Sequence, residues 1–216
     1  MEPEHQTSTS PRSFTPSATF LACALMAGAV LVTDVARDEP PPQPSAAQAF
    51  PRSVRPVLSG TVRPLPPSDP VRLRIPAIDV DTSMTKLGLD AAGALRPPPA
   101  DSPGLAGWYG KGTAPGSTGT AVTTGHVNTR SGPGVFHDLG ALAKGNTIEI
   151  SRADRRTAVF TVDAVEAYDK KDFPNKKVYG SSGLPELRVI TCGGSHTKHT
   201  GYLGNVVVYA TLTAVT

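Results

Sequence analysis

Cysteine is nearly absent from this chain. Cys23 and Cys192 are the only two in 216 residues, too few for a disulfide framework to hold the fold. Cys23 lies inside an apolar stretch that suits a membrane, so it is no partner for Cys192. An exported domain with one unpaired thiol flags that thiol as reactive, although a buried, inert cysteine reads the same way in sequence. Charge of one sign is also scarce. The formal net charge is +3, and no cluster of Lys and Arg is interleaved with aromatics, so nucleic acid is not expected as a partner. Helical periodicity is thin, confined to "TSMTKLGL", "LAGWYG" and "GVFHDLGAL", each long enough for a turn or two. That excludes a helical bundle.

One long apolar run is present. From Ser13 to Thr33 no residue is charged, with "ATFLACALMAGAVLV" at its centre. About 20 residues of this kind cross a hydrocarbon core. Arg12 precedes the run and Arg37 follows it. The expected organisation is a cytoplasmic N-terminus over 1–12, a single-pass transmembrane signal-anchor over 13–35, and a folded domain outside the cell membrane. A cleaved signal peptide ending near "AGA" is the rival, but the apolar run continues past it. Residues 36–70, "RDEPPPQPSAAQAF" and onward, are rich in Pro, Ser and Ala and read as a disordered stalk.

Residues 71–216 carry the regular pattern. "VRLRIPAI", "TIEISR", "AVFTVDAVEAY", "LRVITC" and "NVVVYATLTAV" alternate with period two, and "TAVTTGHV" is a shorter run that ends in a turn. Strands of this length between Gly, Pro, Asn and Asp clusters predict an all-β barrel or sandwich. The expected core is Leu73, Ile75, Ile148, Ile150, Phe160, Val162, Val189, Val206 and Val208.

The chemistry-bearing stretch is "VITCGGSHTKHTGYLGNVVVYA". Cys192 is expected at the end of one strand, and His126 in "TTGHVNT" at the end of another. Two neighbouring strands ending together would bring thiol and imidazole to one rim, where a nearby cation favours the thiolate. Gly193 and Gly194 would let a substrate approach the sulfur without a Cβ in the way. A structural histidine is an equal reading of His126 on spacing alone. Zinc is a further alternative, because Cys192, His196 and His199 form C-x3-H-x2-H and His126 is available as a fourth ligand. The spacing is not that of paired knuckles, and no metal is expected.

"TGHVNTRSGPGVFHDLGALAKGNTIEI", "LRVITCGG" and "YLGNVVVYA", supported by "GWYGKGTAPGSTGTAVTTGHV" and "DKKDFPNKKVYG", resemble the sortases, in particular the actinobacterial class E/F branch. The likeness covers about Val71 to Ala210. It implies a closed β-barrel of about eight strands with short helices, and a cysteine transpeptidase that needs no cofactor. On this resemblance His126 and Cys192 fall on the catalytic pair. The thiolate would attack the Thr–Gly carbonyl of an LPXTG-like motif in a surface protein. The thioacyl-enzyme would then pass to an amine of a cell-wall precursor or a pilin lysine. His126 would act as acid for the departing amine and as base for the incoming one. Thr191 and Gly193, beside the cysteine, are implied substrate or oxyanion contacts.

The resemblance breaks at one place. Sortases use an Arg after the Cys, and no Arg follows Cys192 here. The family's "FD" is replaced by His196 and Thr197. Lys198 occupies about the expected place of a basic residue, Arg188 lies four residues before Cys192 on the same strand face, and Asn205 is expected to precede the last strand. A lysine keeps the charge without the two-pronged donor geometry. The alternative expectation is therefore a catalytically weak sortase-fold protein that binds or assembles envelope components.

Overall fold

Alternation with period two becomes a closed cylinder when every strand finds two neighbours, and a barrel has no free edges to protect. The computed structural model describes residues 39–51, 62–197 and 201–216. Its strands are β1 (Pro70–Ile75), β2 (Val80–Leu87), β3 (Ala106–Tyr109), β4 (Gly119–Thr124), β5 (Asn128–Thr129), β6 (Gly132–Pro133), β7 (Thr147–Arg152), β8 (Thr157–Asp169), β9 (Pro185–Thr197) and β10 (Gly201–Val215), with a helix α1 (Asn175–Tyr179) between β8 and β9. Eight of them close in the order β1-β2-β3-β4-β9-β10-β8-β7, and β5 with β6 form a separate small hairpin. Two joints of the barrel, β2 with β3 and β4 with β9, are parallel. The all-β reading and the eight-stranded closure both hold.

The nine residues expected in the core are all buried and belong to one cluster inside the cylinder. Phe136, Leu139, Leu142 and Leu187 join them. A second cluster lies outside the sheet, where Ala164, Val178, Ile190, Val207 and Tyr209 meet Phe50, Val122, Tyr168 and Phe173.

Two of the three helical expectations are overturned. "TSMTKLGL" is largely β2 and "LAGWYG" contains β3. Met84 and Leu87 stand three apart as on a helix, but β-branched Val80, Thr82 and Thr85 suit a strand. β2 is also the neighbour that both β1 and β3 require. Gly107 lets β3 come close, since a Cβ there would meet the Leu87 side chain at 2.3 Å. Only "GVFHDLGAL" contributes a helical turn, the 3-10 turn Leu139–Ala141.

Two described pieces of the expected stalk lie against the barrel. Val62 and Leu65 pack on the inner core, and Leu65 N–H donates to Gly116 O at 2.8 Å. Further upstream, Phe50 sits edge-on to Tyr209 with centroids 5.1 Å apart, and its N–H donates to Glu166 Oε1 at 2.9 Å. Lys144 donates through its backbone N–H to Gln48 Oε1 and through Nζ to Ala47 O and Ala49 O. Prolines keep this chain extended, while a few apolar and carbonyl groups hold it down. The apolar run 13–35, including Cys23, lies outside the described residues.

Candidate active site

β4 and β9 run parallel, with Thr124 of β4 paired to Ile190 of β9. Beyond that pair the chain after β4 turns away, yet it stays clipped to β9. Gly125 N–H donates to Ile190 O at 3.4 Å, Thr124 Oγ1 to the same oxygen at 3.0 Å, and Thr191 Oγ1 to Gly125 O at 2.9 Å. His126 and Cys192 each stand two residues past the Thr124–Ile190 pair, so both follow the same end of the β4–β9 pairing. His126 stands just past the end of β4, as expected. The strand end expected at Cys192 is corrected, because β9 does not stop there. β9 continues to Thr197, paired with β10, after β4 has left. Asn205 likewise does not precede the last strand, since β10 begins at Gly201 and places Asn205 directly opposite Cys192.

The turn that carries His126 is pinned from beneath. Val127 and Phe136 are buried, and Phe136 N–H donates to His126 O at 2.9 Å. Glycine is required at two points of this turn. A Cβ on Gly125 would meet Val135 and Phe136 side-chain atoms at 2.5 and 2.6 Å, and one on Gly134 would meet His126 O at 2.3 Å. His126 Nε2 lies 2.8 Å from Pro98 O. A carbonyl can only accept, so Nε2 carries the hydrogen and Nδ1 is the nitrogen left to exchange a proton. The Pro98 carbonyl thus orients the imidazole, a role that nothing in "RPPPA" announced.

Cys192 is a free, exposed thiol. Beside it stands a small polar group that sequence reading missed. Asn128 Nδ2 donates to the Tyr202 hydroxyl at 2.8 Å, and His137 Nδ1 lies 2.7 Å from Asn128 Oδ1 and 3.3 Å from Val127 O. Burial pushes the Tyr202 phenol above its ordinary range. The Asn128 donor pulls the other way, and negative charge on the Cys192 sulfur adds to the rise. The signal for these residues was their nearness in sequence to His126 and to the strand opposite Cys192, "HVNT" and "GYLGN".

The remaining expected residues fall as follows. Thr191 is buried, with its hydroxyl given to Gly125 O. Gly193 is buried, and a Cβ there would meet Val206 Cγ2 at 2.7 Å. Arg188 shares the outer face of β9 with Cys192, but its guanidinium is engaged. Nε donates to Val178 O at 3.1 Å, Nη1 to Leu187 O at 3.2 Å, Nη2 pairs with Glu186 at 3.4 Å, and the group lies 4.6 Å over the Tyr209 ring. Lys198 and His199 lie outside the described residues. Among the described residues no three His, Cys, Asp or Glu side chains gather as metal ligands. Two open grooves of about 400 and 380 Å³ run beside β2 and the β6–His137 segment. Neither is lined by Cys192 or His126.

Comparison with known proteins identifies the fold and the family. The family model described as the sortase domain matches residues 73–213. Among solved structures, the SrtA sortase of Actinomyces oris superposes with a TM-score of 0.51 at 18% identity, covering 70% of this chain and 87% of that one. Sortase C-1 from the same organism gives 0.51 at 20% identity, covering 68% and 76%. Sortase C1 of Streptococcus agalactiae gives 0.51 at 17% identity, covering 67% of each chain. These likenesses are of fold. No curated protein matches the chain. The match to the sortase domain takes in the barrel except the outer ends of β1 and β10, with His126 and Cys192 inside it, and the chain belongs to the sortase family.

Proposed function

We propose that this protein is a membrane-anchored cysteine transpeptidase with Cys192 as nucleophile and His126 as proton carrier. It would cleave an LPXTG-like sorting motif of a surface protein outside the cell and transfer the acyl part to an amine of a cell-wall precursor or a pilin lysine. The observation that supports this reading is that the parallel pairing of β4 and β9 ends two residues before both His126 and an exposed, unpaired Cys192, inside a sortase domain. The span 13–35 would hold the domain at the outer membrane surface.

In the first half-reaction the thiolate forms a C–S bond to the motif's carbonyl carbon and the carbonyl π pair moves to oxygen. Collapse breaks the C–N bond, and the imidazolium of His126 gives its proton to the departing amine. In the second, an incoming amine attacks the thioester, His126 takes its proton, and the thiolate leaves. Pro98 O holds Nε2–H throughout, which leaves Nδ1 for the transfers. Thr191 acts through the His126 turn that it clips to β9, and Arg188 belongs to the outer cluster.

The test incubates the purified chain with LPXTG-type peptides and an amine acceptor, beside Cys192→Ala. Transpeptidation product and a thioacyl adduct of the wild type are expected, with neither in the variant. Product that persists in Cys192→Ala would remove the nucleophile assignment. The absence of any Arg after Cys192 favours one second reading, a binding or assembly factor of sortase fold with little turnover. A wild type that retains peptides but forms no adduct across a broad peptide library would select it. Lys198→Ala with unchanged turnover would remove Lys198 from the mechanism.

A further inference from the structure

Attack on a carbonyl creates a negative oxygen, and a preorganised donor for that oxygen is worth about a hundredfold or more in rate. The proposed pair supplies a nucleophile and a proton carrier but no such donor. Arg188 is engaged at the far end of the outer face of β9, with Val178 O, Leu187 O and Glu186 around it.

Tyr202 is placed differently. It sits on β10 opposite His196 of β9, and its ring leans on the His196 imidazole with centroids 4.7 Å apart. Its hydroxyl is reached by Asn128, which belongs to the hairpin that follows β4. In the barrel β9 runs between β4 and β10. A bridge from the post-β4 hairpin to β10 therefore passes across β9, and it does so on the stretch just beyond Cys192.

The direction of every hydrogen bond in this bridge is fixed. His137 Nδ1 faces two carbonyl oxygens, Val127 O and Asn128 Oδ1, so it carries the hydrogen. Asn128 Oδ1 accepts from it, which turns the Asn128 amide NH2 toward Tyr202. The Tyr202 oxygen accepts from Asn128 and keeps its own proton to give, and an accepted bond polarises the O–H into a better donor. A phenol held above its ordinary range by burial donates a hydrogen bond without losing the proton.

We propose that Tyr202 is the oxyanion donor of this enzyme, aimed at the reacting carbonyl by Asn128 and His137 as positioning residues. This rests on Cys192 being the acylating nucleophile. As the C–S bond forms and the π pair moves to oxygen, the Tyr202 O–H hydrogen-bonds that oxygen. When the C–N bond breaks and His126 protonates the amine, the carbonyl reforms and Tyr202 is released unchanged.

The decisive variant is Tyr202→Phe, which removes one oxygen and keeps the ring on His196. Two rates are read on the full chain: single-turnover thioacylation by a sorting-motif peptide, and alkylation of Cys192 by iodoacetamide, which forms no oxyanion. Thioacylation is expected to fall about a hundredfold with KM little changed, and alkylation to stay at the wild-type rate. Asn128→Ala is expected to slow thioacylation about tenfold, one hydrogen bond's worth, and to add nothing to Tyr202→Phe, because both act through one hydroxyl. Wild-type thioacylation in Tyr202→Phe overturns the proposal. So does a loss carried by Asn205→Ala instead, or an equal fall in alkylation, which would put the hydroxyl on the thiolate. A wild type that forms no adduct at all defeats the Cys192 reading itself, and this assignment with it.

Discussion

The two faces of β9 meet different surroundings. Leu187, Val189 and Thr191 point inward and are buried, the first two in the main core. Arg188, Ile190 and Cys192 point outward, and their surroundings change along the strand. Arg188 is buried under α1 and over Tyr209, Ile190 belongs to the outer cluster, and Cys192 is exposed. The outer face is thus roofed as far as Ile190 and open at Cys192, before the Asn128–Tyr202 bridge crosses it. One face repeats what any barrel needs. The other ends its cover at one atom, which is where a substrate backbone has room to reach the sulfur.

The contrast predicts opposite phenotypes for neighbouring residues. Cys192→Ala should remove all thioacyl formation while leaving stability within about 0.5 kcal/mol of wild type, as for an exposed site without partners. Mass spectrometry of the peptide-treated protein and urea unfolding read the two quantities. Leu187→Ala, five residues earlier and inward, should cost about 2–5 kcal/mol through the cavity it leaves in the core. Below its unfolding transition its thioacylation rate should stay near wild type. A Leu187→Ala protein as stable as wild type would show that the inner face does not hold the barrel.

The same division explains what the sequence made legible. The inward face writes itself in period two, and nine expected core residues are buried because burial is all that their positions demand. β2 reads as a helix in sequence because Met84 and Leu87 share a helix's spacing, and only closure of the barrel around β2 decides for a strand. At the site, Cys192 and His126 were visible as unusual residue types beside glycines. Their partners were not. Pro98 contributes a backbone carbonyl, which no side chain advertises. Tyr202 and Asn128 meet only because a hairpin after β4 folds back toward β10, a contact between positions 74 apart in sequence.

Thr191 lies where the two faces touch the same chemistry, being inward on β9 yet bonded to the turn that carries His126. Thr191→Val keeps the shape and leaves Gly125 O without its hydroxyl donor in a buried place. A loss of about 1–2 kcal/mol is expected in urea unfolding, together with a several-fold slower thioacylation as the His126 turn loosens. Unchanged catalysis with the full stability loss would confine Thr191 to the core.

The smallest expected effect concerns the roof over the outer face. Glu166 is pushed up by burial, but hydrogen bonds from Lys177, Tyr168 and the Phe50 N–H more than offset this and hold it below the usual carboxylate range. A folded-state value below the unfolded one means that Glu166 stabilises the fold above the unfolded carboxylate pKa, near 4.5. That contribution is lost as pH falls through the lowered folded value. Glu166→Gln removes the titrating group, so it should flatten the acid limb of a stability–pH curve below about pH 5. At pH 7 it should weaken the hold on Phe50 and Lys177, seen as faster amide exchange at Phe50. Because Cys192 lies beyond the roof, iodoacetamide alkylation in Glu166→Gln should keep its wild-type rate across that range. A change in thiol reactivity there would show that the roof and the open end of β9 are coupled, and the two regions of that face would have to be treated as one.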